Sequence, residues 1–184
     1  FNVPCEDVAL LGVIAAVETN GEEDVVWLAE SCTYTLPSAW IVDHDGGSPE
    51  GFPVTVHGRG ATISGSARHP VFVVNPTAVL DLNGVTVRDG LSTSEGGAIQ
   101  NLGVLTLTDS VVSDSEASSG GGVVNYENGR LTLTRSTVSG NRAVDLGAGI
   151  RNRGGRLTLI DSTVSGNTAT RYGSSGGGTH SAGA

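Results

Sequence analysis

Leu105-Thr106-Leu107-Thr108, Leu131-Thr132-Leu133-Thr134 and Leu157-Thr158-Leu159-Ile160 begin 26 residues apart each time (131 − 105 and 157 − 131). Six residues after each start comes a second block: Val111-Val112-Ser113, Thr137-Val138-Ser139 and Thr163-Val164-Ser165. A third block lies upstream: Gly96-Gly97-Ala98-Ile99-Gln100-Asn101, Gly120-Gly121-Gly122-Val123-Val124-Asn125 and Gly147-Ala148-Gly149-Ile150-Arg151-Asn152. A fixed period of this length, held over three copies, marks a stacked repeat. Within the runs Leu alternates with Thr, so one side is apolar and the other polar, which suits a strand and not a helix. Three short strands and three turns per repeat close into a triangular coil, and successive coils stack in register at about 4.8 Å. The expected fold is therefore all-β, a right-handed parallel β-helix of about 26 residues per coil. Its inward columns are expected to be Leu80/Leu105/Leu131/Leu157, Leu82/Leu107/Leu133/Leu159 and Val87/Val112/Val138/Val164.

The pattern continues upstream. Leu80-Asp81-Leu82-Asn83-Gly84-Val85-Thr86-Val87 fits at a spacing of 25, and Val54-Thr55-Val56-His57-Gly58 precedes it by 26. Coils are thus expected over residues 51–184, about five of them, as one continuous domain with an N-terminal cap in residues 1–50. In that cap, residues 4–17 read as an amphipathic helix: Pro4 suits an early position, Glu6 and Asp7 favour the positive end of the dipole, and Asn20-Gly21 stops it. Val25-Val26-Trp27-Leu28 and Tyr34-Thr35-Leu36 read as the first strands. A lid is needed because an open coil exposes apolar rows and unpaired strand edges.

Composition narrows the function classes. Glycine makes up 28 of 184 residues, roughly twice the usual share, which argues for frequent turns and against a helical bundle. All ten basic residues are Arg, so no Lys is available for Schiff-base or general-base chemistry. The net charge of -9 opposes nucleic-acid binding, which needs a clustered basic footprint. The apolar residues 8–17 follow Glu6 and Asp7, not basic residues, and are too few to span a bilayer, so no signal peptide and no membrane insertion are expected. The missing initiator Met suggests that the chain follows a cleavage or is part of something longer. Cys5 and Cys32 are the only cysteines and neither has a CxxC partner, so a disulfide is expected rather than zinc, and with it a secreted or cell-surface location.

Chemical motifs each have a bland competitor. Gly147-Ala148-Gly149 and Gly58-Arg59-Gly60 lack the helix that a dinucleotide fingerprint requires and read as turn glycines. Asp43-His44-Asp45-Gly46-Gly47 fails the spacing of a calcium loop, since Val54 stands at the twelfth position, and reads as a solvated loop. The His residues at 44, 57, 69 and 180 show no ligand spacing. No catalytic residue, cofactor or metal site is expected. Asp109, Arg135 and Asp161 recur at 26-residue intervals, so stacking places the Arg between two acids as a charge ladder. Asn101, Asn125 and Asn152 are expected at turn positions of left-handed geometry, with their amides stacked coil on coil.

The GGAI-x-N opening, the LTLT run and the S-T-V-S-G-N turns at residues 136–141 and 162–167 resemble the β-helix repeats of bacterial secreted and cell-surface proteins. That group includes the polymorphic outer-membrane and autotransporter-like adhesins. Ile99-x-Asn101, Val123-Val124-Asn125 and Ile150-x-Asn152 stand where the polymorphic proteins carry FxxN. The stretch with Cys5, its helix, Asp24-Val25-Val26 and Cys32-x-Tyr34-x-Leu36 is similar to the cap found before such repeats. The resemblance implies a non-enzymatic structural or adhesive surface module with a cell-surface or polysaccharide ligand. A carbohydrate-active enzyme or carbohydrate-binding module is the alternative. A minor one is an ice-binding solenoid, from the outward Thr106/Thr108 and Thr132/Thr134, continued by Thr158 and interrupted by Ile160 and Asp81/Asn83. At the far end, Gly176-Gly177-Gly178 opens another repeat, which would leave Leu157, Leu159 and Val164 uncovered. Further coils of a longer parent chain, or a second copy stacked end to end, are expected to cover them.

Overall fold

The computed structural model describes residues 1–17, 23–43, 52–171 and 177–182. The described chain is a parallel β-solenoid. Its first sheet stacks Asn2–Val3, Asp24–Leu28, Pro53–His57, Val79–Asn83, Val104–Thr108, Arg130–Thr134 and Arg156–Ile160 in that order. The second stacks Thr33–Thr35, Thr62–Ser64, Thr86–Arg88, Val111–Ser113, Thr137–Ser139 and Thr163–Ser165. The third stacks Trp40–Val42, Phe72–Val74, Ile99–Asn101, Val123–Asn125, Ile150–Arg153 and Thr179–Ala182. Every pairing is parallel, and Leu105 pairs with Leu80 on one side and Leu131 on the other.

The described residues form about six coils rather than about five, because the strands beginning at Asp24, Thr33 and Trp40 pair directly with those at Pro53, Thr62 and Phe72. This first coil was hidden in the sequence by its length: Asp24 pairs with Val54, 30 residues on, so the 26-residue period breaks there. The later coils also differ from a plain triangle. A fourth, three-stranded sheet of Glu116–Ala117, Arg142–Ala143 and Thr168–Ala169 adds a side to the last three coils.

Alternation drives the packing. Leu80, Leu82, Leu105, Leu107, Val112, Leu133 and Val138 are fully buried, while Thr106, Thr108, Thr132 and Thr134 between them face outward. Each buried Leu is stabilised by roughly 1.5–3 kcal/mol relative to exposure. Towards the far end the columns lose cover: Leu157 and Val164 are half-buried and Leu159 is 42 % exposed.

The helix spans Asp7–Val17 and lids the first coil through Leu10 and Val17. Pro4 and Glu6 precede it in a turn closed by the Glu6 N–H on the Pro4 carbonyl. After Asp7 it is apolar on every side rather than amphipathic: its outer side carries Val8, Gly12 and Ala15. Tertiary bonds therefore fix it in place. The Asp7 carboxylate accepts from the Thr35 N–H at 2.7 Å, the Tyr34 hydroxyl bonds the carbonyls of Val3 and Pro4, and Cys5 is bonded to Cys32 with Cα atoms 5.6 Å apart. Asn20-Gly21, proposed as the helix stop, lies outside the described residues.

Candidate functional site

Asn101, Asn125 and Asn152 lie in strands of the third sheet and point inward, at 0, 0 and 6 % exposure. They do form an amide ladder: Asn101 Nδ2 donates to Asn125 Oδ1 at 2.7 Å, and Asn125 Nδ2 to Asn152 Oδ1 at 2.7 Å. The expected left-handed turn geometry is corrected, since none of the three has positive φ. Their column begins with Val42 and Val74, so the amides replace apolar side chains inside the core and also bond the backbone carbonyls of Arg130 and Arg156.

Left-handed geometry falls instead on the charge column. Asp109, Arg135 and Asp161 have φ of 49, 48 and 48° and turn the chain from the first sheet to the second. Arg135 grips Asp109 with two parallel bonds of 2.8 Å from Nε and Nη2. That hydrogen bond, with the guanidinium charge, holds the Asp109 carboxyl below its ordinary value. Arg135 feels Asp161 only through its charge, so the column is a pair with an acid beside it. This is an exposed structural contact.

Two interior hydrogen-bond columns were not singled out in the sequence. Ser110 N–H donates to Ser136 Oγ at 3.1 Å and Ser136 N–H to Ser162 Oγ at 3.0 Å. Asn141 N–H donates to Asn167 Oδ1 at 2.9 Å, as Ser115 N–H does to Asn141 Oδ1 at 3.1 Å. The signal was the repeated S-T-V-S-G-N, whose Ser and Asn fall at the corners and bond the backbone of the coil before.

Outward faces carry the surface chemistry. On the first sheet the expected Thr array is real over Thr106/Thr132/Thr158 and Thr108/Thr134, and is headed by Asp81 and Asn83. Further up stand His57 and Trp27, ring to ring at 4.0 Å. The second sheet shows a longer hydroxyl column: Thr33, Thr62, Thr86, Val111, Thr137 and Thr163, with Val isosteric to Thr. Beside it runs Thr35, Ser64, Arg88, Ser113, Ser139 and Ser165.

A charged knot crosses the third sheet. Glu95, from the loop before Ile99–Asn101, accepts from Arg151 Nη1 and, at 2.7 Å, from Arg153 Nη1. The Arg153 guanidinium lies 5.6 Å from the centre of the Tyr126 ring. Burial, and then the charge and hydrogen bond of Glu95, push the Tyr126 phenol up. Leu102, Tyr126, Glu127 and Arg153 line a hollow of about 320 Å³ beside this knot. Glu95 carried no repeat signal, since it sits in a loop and acts across 56 residues to Arg151.

Of the loop Asp43-His44-Asp45-Gly46-Gly47, all but Asp43 lies outside the described residues. No helix among the described residues is long and apolar enough to cross a membrane. Comparison with known proteins gives no matching family model, no matching curated protein and no matching solved structure.

Proposed function

We propose that this chain is a non-enzymatic structural or adhesive module of a secreted or cell-surface protein, a rod that displays side chains at fixed spacing to a cell-surface or polysaccharide ligand. The observation that carries this is the register of the outward columns: equivalent Thr, Ser and Arg side chains repeat on successive coils of a hydrogen-bonded frame. The Cys5–Cys32 bond supports an oxidising, extracellular setting, and the repeats of the sequence resemble those of bacterial adhesins. The half-covered Leu157, Leu159 and Val164 support stacking of further coils, or of a second copy, on that end.

A carbohydrate-binding reading is favoured by one feature, the hollow at Tyr126, where an arene, an arginine and a carboxylate meet. Beads coated with the protein and washed over immobilised polysaccharides and cell surfaces test both. Retention is expected, with no new reducing ends and no absorbance from unsaturated products. Release of such products reassigns the chain as an enzyme. Absence of retention on every surface, together with monomeric sedimentation at high concentration, overturns the proposal.

A further inference from the structure

Most arginines in this fold are set against acids. Arg59 meets Glu30, Arg88 meets Asp89, Arg135 meets Asp109, Arg151 and Arg153 share Glu95, and Arg171 meets Asp145. Arg142 stands in register with Glu116. Arg130, in contrast, stands in register with Arg156 on the outward side of the first sheet. Both are exposed, and neither makes an ion pair among the described residues. Like charges on adjoining strands repel at about 4.8 Å, the cross-strand spacing, and an anion seated between them reverses the sign of that contact.

We propose that Arg130 and Arg156 form a binding subsite for the anionic group of an acidic polysaccharide, which deepens and rests on the adhesive reading above. Two guanidinium forks one coil apart suit a sugar carboxylate or sulfate ester, each able to accept paired N–H bonds. On the same face, two residues along each strand, Thr132 and Thr158 stand in register and offer hydroxyls to the sugar ring. The Arg column continues through Val104 and Val79, half-buried apolar side chains that suit the C–H face of a neighbouring sugar. A sugar chain laid along the solenoid axis thus meets one rung per coil, and a pyranose unit is close to a rung in length. The turns that precede Arg130 and Arg156 carry Tyr126, Glu127 and Arg153, which line the hollow already described. Seven of the ten arginines, at 130, 135, 142, 151, 153, 156 and 171, fall in these last two coils of a chain whose net charge is -9. A nucleic acid fits less well: it needs a longer basic track and open aromatic faces, and the Tyr126 ring is covered by Arg153.

Titration calorimetry of the intact chain with four oligomers tests the site: an oligogalacturonate, a sulfated chondroitin fragment, a neutral galactan fragment and a single-stranded oligothymidylate. Binding of one or both acidic sugars, weakened by salt, is expected, and comparison of the first two assigns the carboxylate or the sulfate ester. The double variant Arg130→Ala/Arg156→Ala, whose side chains are exposed and whose fold is checked by circular dichroism, is expected to bind about tenfold more weakly or less. Arg171→Ala, remote from the pair, is expected to bind as the unaltered chain does. Failure of both acidic oligomers, unchanged binding by the double variant, or tighter binding of the oligothymidylate overturns the proposal. Bead retention that survives in the double variant overturns this site alone and leaves the adhesive reading standing.

Discussion

Asn101 and Asn125 are joined amide to amide in the dry interior, with the Nδ2 of the first donating to the Oδ1 of the second at 2.7 Å. The bond has a direction, and the same direction is repeated from Asn125 to Asn152. At the head of the ladder the next residue in the column is Val74, so Asn101 Oδ1 is buried with no donor. The ladder therefore ends on an unsatisfied oxygen at one side and is saturated in its middle.

Asn101→Val moves that boundary by one coil, removing the orphan on Asn101 and creating an equivalent one on Asn125. It is expected to change stability by about 1 kcal/mol or less, whereas Asn125→Val breaks the amide bonds to both neighbours and is expected to cost about 2–4 kcal/mol. Urea unfolding of the two variants checks the order, and equal losses count against a directional ladder.

Leu133 and Thr132 are neighbours on one strand that face opposite ways. Leu133→Ala is expected to cost about 2–5 kcal/mol, through lost burial and a cavity between two stacked leucines. Thr132→Ala is expected to change stability by about 0.5 kcal/mol or less. The same unfolding measurement distinguishes them.

Asp109 has its carboxyl lowered from 3.8 by the Arg135 hydrogen bond. A lowered folded value means that the contribution is fully present above the unfolded value and is lost as pH falls through the folded one. Asp109→Asn keeps a residue that tolerates the left-handed turn while removing the charge. The unaltered chain is expected to be slightly more stable than this variant at neutral pH, with the difference vanishing in acid below pH about 3.8. Both carboxylate and guanidinium are more than half exposed, so high salt is expected to shrink the difference at every pH.

Cys5 and Cys32 are 27 residues apart and tie the segment before the helix to the first coil. Closing that loop contributes roughly 3–4 kcal/mol on the chain-entropy account. Mass spectrometry with alkylation is expected to find no free thiol, and Cys5→Ser/Cys32→Ser is expected to unfold at correspondingly lower denaturant. Two free thiols in the natively purified chain contradict this.

Repetition made the coil legible from the sequence. Leu105, Leu131 and Leu157 recur at one spacing, and alternation alone placed them inside and Thr106, Thr132 and Thr158 outside. Two strands of the first coil were read from the sequence but placed in the cap and not counted as a coil, because four extra residues between Asp24 and Val54 break the period. Asn101 was misplaced for a different reason. Asn is common in turns, and only the three-dimensional column, with Val74 above and Asn125 below, shows it to be a strand residue facing in. The knot of Glu95, Arg151, Arg153 and Tyr126 was illegible because its members come from a loop and two coils, with no common spacing. Arg130 and Arg156 were not singled out in the sequence, since only the register of their strands shows that the two stand side by side on one outward face.

Because the interior columns join residues one coil apart, the length of this rod is quantised. Excising residues 105–130, which is 26 residues (130 − 105 + 1), brings Val104 directly before Leu131. Each column then closes over the gap with the same kind of side chain, Leu80 meeting Leu131 and Asn101 meeting Asn152. A one-residue insertion or deletion inside a strand puts its inward set on the wrong face, whereas extra residues in a turn, as between Asp24 and Val54, leave the columns aligned. Such a molecule is a ruler graduated in steps of about 4.8 Å, whose reach can be reset by whole graduations while its lid and its surface spacing stay unchanged.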